Sequence, residues 1–280
     1  MKTFKYILFH FLLAAFFACG PQESNQNETH NQMNLRFLAL GDSYTIGEGV
    51  AENERWPNQL KDSLTQRGLQ MEAPLIIART GWTTGELKAG IVAAALNSPG
   101  DPEGQDGQND SDTPHSPHGQ DGQIAPNNPG GPDGSERPFD LVSLLIGVNN
   151  QYRGPARGFT LDGYREEFAE LLQMAIALAG GDRERVLVVS IPDYGVTPFV
   201  APENKDRVGM EIDHYNAVNL EESQKAGVRY ADITPISRLA ANRPELIAPD
   251  QLHPSGVMYG LWVEQIIPVL RPVLLDGSRL

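Results

Sequence analysis

Leu35-Arg36-Phe37-Leu38-Ala39-Leu40 runs directly into Gly41-Asp42-Ser43-Tyr44-Thr45. The first six residues form a short apolar run that reads as a strand. The glycine, acid and hydroxyl behind it are turn and helix-start residues. The same order recurs along the chain. Apolar runs at 74–78, 141–146, 186–191 and 228–231 are further strand candidates, and helical patterns lie at 56–67, 84–96, 161–178, 205–225 and 255–275. Within 161–178, Phe168, Leu171, Leu172, Ala175 and Leu178 share one helix face. Ser255-Gly256 suits a helix start and Gly180-Gly181 a helix end. Five repeats of strand then helix imply an α/β fold, a parallel sheet of about five strands with helices on both faces. In such a fold, reactive groups collect at the carboxyl ends of the strands.

The residues directly behind each strand are therefore informative. Behind the first comes Gly41-Asp42-Ser43, behind the second Arg79-Thr80-Gly81-Trp82-Thr83, and behind the third Gly147-Val148-Asn149-Asn150-Gln151. Ahead of the last helix comes Asp250-Gln251-Leu252-His253-Pro254-Ser255. A serine, a histidine, a carboxylate, glycine amides and an asparagine amide on one rim are the parts of a serine acyl hydrolase. Of six histidines, His10, His30, His115 and His118 fall in segments that read as unfolded or removed, leaving His214 and His253 as bases. His214 lies in a helical pattern where an ordinary surface histidine is expected, whereas His253 follows an acid by three residues in a polar loop.

Gly41-Asp42-Ser43, Gly81, Gly147-Val148-Asn149 and Asp250-Gln251-Leu252-His253 resemble, in order, the four blocks of the SGNH (or GDSL) hydrolase family. The resemblance covers nearly the whole folded domain. It implies a flavodoxin-like three-layer sandwich and hydrolysis of acyl esters of lipids, small alcohols or O-acetylated sugars, without a cofactor. Carried over by position, it makes Ser43 the nucleophile, His253 the base and Asp250 the group that orients the imidazole. The Ser43 amide, the Gly81 amide and the Asn149 side chain become the oxyanion donors. Asp250 is the least specific of these, since a backbone carbonyl or water can also orient a histidine. Two departures stand out: Asn150 follows Asn149 where the family usually has Asp, and the first block reads GDSY rather than GDSL.

Other residues near these blocks admit plainer readings. Arg79 and Arg153 can meet a charged substrate or simply pair with surface acids. Tyr44, Trp82 and Tyr152 can line an acyl pocket or only pack. Asp193-Tyr194-Gly195 adds a rim loop with no chemistry to assign. No GxSxG surrounds a serine and no GK[ST] follows Gly41 to Gly49, which argues against an α/β-hydrolase elbow or a phosphate loop.

The ends and middle of the chain differ from this domain. Lys2 and Lys5 precede a twelve-residue apolar run at 6–17, which ends ahead of Ala18-Cys19. Twelve residues reach about 18 Å as a helix, short of a ~30 Å hydrocarbon core, so 1–19 reads as a signal peptide. Its end resembles a lipobox, with Cys19 lipidated to hold the exported protein at a membrane; the alternative is an ordinary signal with an incidental cysteine. Residues 20–33 are polar and read as a flexible tether. Residues 98–138 contain eight Gly, eight Pro, eight Asp or Glu and one Arg, with Ile124 the sole large aliphatic residue. That composition predicts a disordered acidic insert interrupting a domain at 34–280. Asp110, Asp112, His115 and His118 within it have no fixed geometry for a metal, and none is expected.

The full chain has 280 residues with 22 Lys plus Arg against 36 Asp plus Glu, a formal charge of −14. The insert carries half of that excess, and what remains is still no surface for a nucleic-acid backbone. One cysteine excludes an internal disulfide or a CxxC pair. The expected function is hydrolysis of lipid-like or small acyl esters through an acyl-enzyme. The alternatives are removal of O-acetyl groups from glycans and, from another class, ligand binding by a lipoprotein without turnover.

Overall fold

The computed structural model describes residues 34–94 and 137–274. The leader, Cys19, the tether and the insert up to residue 136 lie outside the described residues. The described part belongs to one unit, Met33–Leu280. In chain order it contains β1 (Phe37–Gly41), α1 (Ser43–Ile46), α2 (Trp56–Gln66), β2 (Leu75–Ala78), α3 (Thr84–Ala93), β3 (Leu141–Leu145), α4 (Val148–Arg153), α5 (Leu161–Leu178), β4 (Val186–Val189), α6 (Lys205–Ala226), β5 (Arg229–Ala231), α7 (Thr234–Ser237) and α8 (Gly256–Leu274). Each expected strand and helix is present, with ends displaced by three residues or fewer.

The strands form one parallel sheet in the order β2-β1-β3-β4-β5. This is the flavodoxin-like order, in which the chain steps to one side of β1 and then returns past it. The crevice between the carboxyl ends of β1 and β3 is the switch point where such sheets bind ligands. Gly41 pairs in register with Ala78 on one side and Leu145 on the other, so all three strands end together there.

β1, β3 and β4 are buried along their whole length, which explains their unbroken apolar runs. Helices cover both faces. α2 and α8 pack against each other, bringing buried Trp56, Leu60, Tyr259, Trp262 and Ile266 under one face. α3, α5 and α6 cover the other with Leu87, Phe168, Leu172 and Ile212. Thr83 caps α3, reciprocally bonded with Glu86, and Thr160 caps α5.

Arg137 and Pro138, the last residues assigned to the insert, are within the described part. Arg137 donates to the Asn34 carbonyl and pairs with Asp140, just ahead of β3. The insert thus rejoins the domain at the amino ends of the strands, opposite the rim that carries Ser43.

Candidate active site

Ser43 owes its position to the turn between β1 and α1. A side chain at Gly41 would collide with Thr45 Oγ1 and the Leu145 carbonyl, so only glycine lets the chain turn here against β3. Asp42, fully buried, caps α1 by accepting from the Tyr44 amide at 3.0 Å. That capping bond orients the first turn, and Ser43 stands at its start.

The loop ahead of α8 supplies the partner. Its backbone is pinned by bonds from Ala248 N to the His253 carbonyl (2.7 Å) and from Ser255 N to the Leu246 carbonyl (2.9 Å). Asp250 Oδ1 accepts from the Leu252 and His253 amides at 2.9 Å each, turning the chain back on itself. Gln251 takes a left-handed φ of 66° to make that turn. Non-glycine residues pay ~1–3 kcal/mol for such conformations, which persist where the surroundings hold them. The outcome is a chain of contacts: Asp250 Oδ2 to His253 Nδ1 at 2.6 Å, and His253 Nε2 to Ser43 Oγ at 2.9 Å. The Tyr44 ring lies 5.1 Å from the imidazole and limits its rotation.

The two carboxyls are shifted in opposite directions. Burial works against the Asp250 charge, but the Leu252 and His253 amides and the His253 ring outweigh it, so this carboxyl is held below the usual range. Burial pushes Asp42 up to about 7 despite bonds from the Tyr44 amide and the Asn149 side chain.

Gly81 follows β2 with φ of 85°, a backbone that favours glycine. Its carbonyl is held by Arg153 Nη2 at 2.7 Å. Asn149 stands at the start of α4, its Nδ2 donating to the Trp82 carbonyl at 2.9 Å and to Asp42 Oδ2 at 3.3 Å. Asn150 replaces an acid yet is fully engaged: Oδ1 accepts from the Thr84 amide (3.1 Å) and Nδ2 donates to Thr84 Oγ1 (2.7 Å). It ties α4 to α3.

Ser43, Gly81, Asn149 and His253 line one pocket of about 150 Å³, with Tyr44, Tyr152, Tyr194, Phe199 and Leu252 on its walls. All five residues singled out by sequence are thus brought together, with Asp250 behind His253. Tyr44 and Tyr152 line the pocket, whereas Trp82 lies against Gly90 of α3. Arg153 pairs with Glu86, and His214 is exposed on α6. Tyr194, Phe199 and Leu252 were missed as pocket residues. Tyr194 sits in the rim loop after β4, so position was a signal for it; nothing local marks Phe199. Among the described residues no group of three His, Cys, Asp or Glu could hold a metal ion, and no helix is long and apolar enough to cross a membrane.

A serine bonded to a histidine that is bonded to an ionised carboxylate can form an acyl-enzyme. The comparisons with known proteins agree with this chemistry. The model of the GDSL-like Lipase/Acylhydrolase family matches residues 39–261. No curated protein matches the chain in sequence. Similar solved structures include TesA (16% identity, TM-score 0.55, covering 85% of this chain and 99% of that one). A member of the lipolytic protein G-D-S-L family from Veillonella parvula DSM 2008 shares 14% identity at a TM-score of 0.53, covering 88% of this chain and 100% of the other. Axe2, an acetylxylan esterase from Geobacillus stearothermophilus, shares 15% at 0.53, covering 85% and 96%. At these identities the likeness concerns the fold.

Proposed function

Since the chain belongs to the GDSL-like lipase/acylhydrolase family and hydrolyses carboxylic esters, we propose that it does so through Ser43, and on short acyl chains. The observation that carries the assignment is the unbroken contact from Asp250 through His253 to Ser43 Oγ. In this reading His253 Nε2 takes the Ser43 proton as Oγ attacks the ester carbonyl. Asp250 keeps the ring oriented and stabilises the imidazolium that forms. The carbonyl oxygen becomes an alkoxide, met by the Ser43 and Gly81 amides and by Asn149 Nδ2. The Asn149 hydrogen held loosely by Asp42 is the one free to turn toward that charge. His253 then returns the proton to the leaving alcohol, and water repeats the sequence on the acyl-enzyme.

Pocket size supports the short chain. A volume of about 150 Å³ accommodates roughly five heavy groups at the ~30 Å³ share of a liquid water, the size of acetyl to butanoyl. Hydrolysis of p-nitrophenyl acetate through octanoate by wild type and Ser43→Ala tests both points. Loss of activity in the variant and a falling kcat/KM beyond the butanoate are expected. Equal rates for the two proteins would remove Ser43 from the reaction.

Export with a lipid on Cys19 belongs to the same proposal and rests on the leader sequence. Labelling of cells with an alkyne fatty acid should mark the wild type and not Cys19→Ser; equal labelling would discard the anchor.

A further inference from the structure

A second and larger cavity, about 470 Å³, adjoins the pocket at Ser43. The two share Tyr152, Tyr194 and Phe199. These rings touch in a triangle, with centroids 6.3 Å apart for Tyr152–Tyr194, 6.1 Å for Tyr152–Phe199 and 6.4 Å for Tyr194–Phe199. They form a partition between a mainly apolar pocket and a polar one. Tyr152 and Phe199 are about half exposed, so part of each ring is open to a ligand.

Beyond the partition the polar groups are linked. Buried Gln151 accepts from the Tyr194 hydroxyl at 2.7 Å and donates to Glu211 Oε2 at 2.6 Å. Arg207 Nη1 donates to both Glu211 oxygens, at 2.9 and 3.0 Å. Its Nη2 reaches Asn204 Oδ1 at 3.4 Å. Arg153, also in the lining, is paired with Glu86. Every charge named here has its counter-charge close by, so neither an anion nor a cation would gain a partner. A hydrocarbon would strip water from Arg207 and Glu211 without replacing its hydrogen bonds. An uncharged group rich in hydroxyls fits both demands, donating to Glu211, accepting from Arg207 and laying its C–H face on the exposed rings.

An ester has two sides. The small apolar pocket suits the acyl side, which leaves the alcohol for the polar cavity. We infer that this cavity is a leaving-group subsite for an uncharged polyol, with Arg207, Glu211 and the Tyr152 and Phe199 rings as its specificity-determining residues. Its volume takes roughly sixteen heavy groups at ~30 Å³ each, enough for a six-membered polyhydroxylated ring with substituents. The inference rests on Ser43 being the nucleophile: Ser43 Oγ bonds to the acyl carbon, the bond from that carbon to the alcohol oxygen breaks, and the alcohol leaves with the proton carried by His253.

Methyl 6-O-acetylglucopyranoside and cyclohexylmethyl acetate test it, because both are acetates of a primary alcohol on a six-membered ring and differ mainly in hydroxyls. Wild type should show a KM at least tenfold lower for the sugar ester. In Arg207→Ala and Phe199→Ala, the ratio of kcat/KM for the sugar ester to that for the cyclohexyl ester should fall about tenfold, through KM. Melting curves identify any variant that does not fold, and two independent surface variants keep the test open if one fails. Equal KM values for the two esters in wild type, or ratios within twofold of wild type in the folded variants, would overturn the subsite. Activity on p-nitrophenyl acetate that survives Ser43→Ala would instead overturn the nucleophile, so the two failures are distinguishable.

Discussion

Asp42, in the turn after β1 next to Ser43, and Asp250, in the loop ahead of α8 and bonded to His253, have surroundings that drive them in opposite directions. Asp250 is partly open to water, receives two amides and faces a ring that can become a cation. Asp42 is fully buried, with an amide and a long amide contact as its donors and no cation beside it. Depth of burial first, and then the presence of a titratable ring beside the carboxyl, not residue type, decide which way each is pulled. Asp250 is equipped to stabilise an imidazolium, and Asp42 to hold the turn and Asn149 in place.

The comparison breaks most visibly at Asp250. Asp250→Asn removes the charge that faces His253 and should lower kcat on p-nitrophenyl acetate by a factor on the order of 10⁴. A loss under tenfold would mean that another group orients the ring. Asn149→Ala comes next, because it deletes a donor to the developing alkoxide; kcat should fall about 10²–10³ with KM little changed. An equal loss in Lys61→Ala, at a partly exposed position on α2 paired with Asp62, would show the effect to be indirect.

Asp42→Asn sharpens the contrast. The amide can still accept from Tyr44, but its NH₂ would face that of Asn149, and a buried donor without an acceptor costs about 1–3 kcal/mol. A kcat about tenfold lower is expected. Its pH signature is more specific. The folded Asp42 titrates at about 7 against an ordinary 3.8, so the stability linked to its protonated form is whole below about pH 4. That stability is lost as pH rises through about 7, by at most ~1.36 kcal/mol per pH unit. Urea unfolding between pH 5 and 8 should show a shallower decline for Asp42→Asn than for wild type, whereas matching slopes would refute the raised titration.

The smallest effect belongs to Arg153, which holds the Gly81 carbonyl and pairs with Glu86 at a partly exposed position. Arg153→Ala should cost under ~1 kcal/mol, a melting shift of about 2–4 °C at most, with kcat within threefold. A hundredfold loss of kcat would make the Gly81 peptide depend on Arg153 for its orientation.

Much of this was legible in the chain. The apolar runs placed β1, β3 and β4 because strands buried on both faces leave no polar alternation to confuse them, and the half-buried edge strands β2 and β5 were placed by the repeating order of strand and helix. Ser43, Gly81, Asn149, Asp250 and His253 were legible because each follows a strand or precedes the last helix, and a parallel sheet sends those points to one rim. Phe199 was not, because nothing in Thr197-Pro198-Phe199 differs from any loop aromatic. The opposite charge behaviour of Asp42 and Asp250 was equally hidden, since one letter stands for both.

The amino-acid order alone determined the strand and helix order, the sheet class and which residues reach the rim, because these depend on local pattern and chain connectivity. Tertiary structure decided the rest. Tyr152 from α4 and Tyr194 and Phe199 from the loop after β4 meet to divide two cavities only because β3 and β4 are neighbours in the sheet. The pull on each carboxyl likewise depends on how much water the packed surroundings remove and, for Asp42, on a donor from Asn149 far along the chain, neither of which a local stretch of sequence contains.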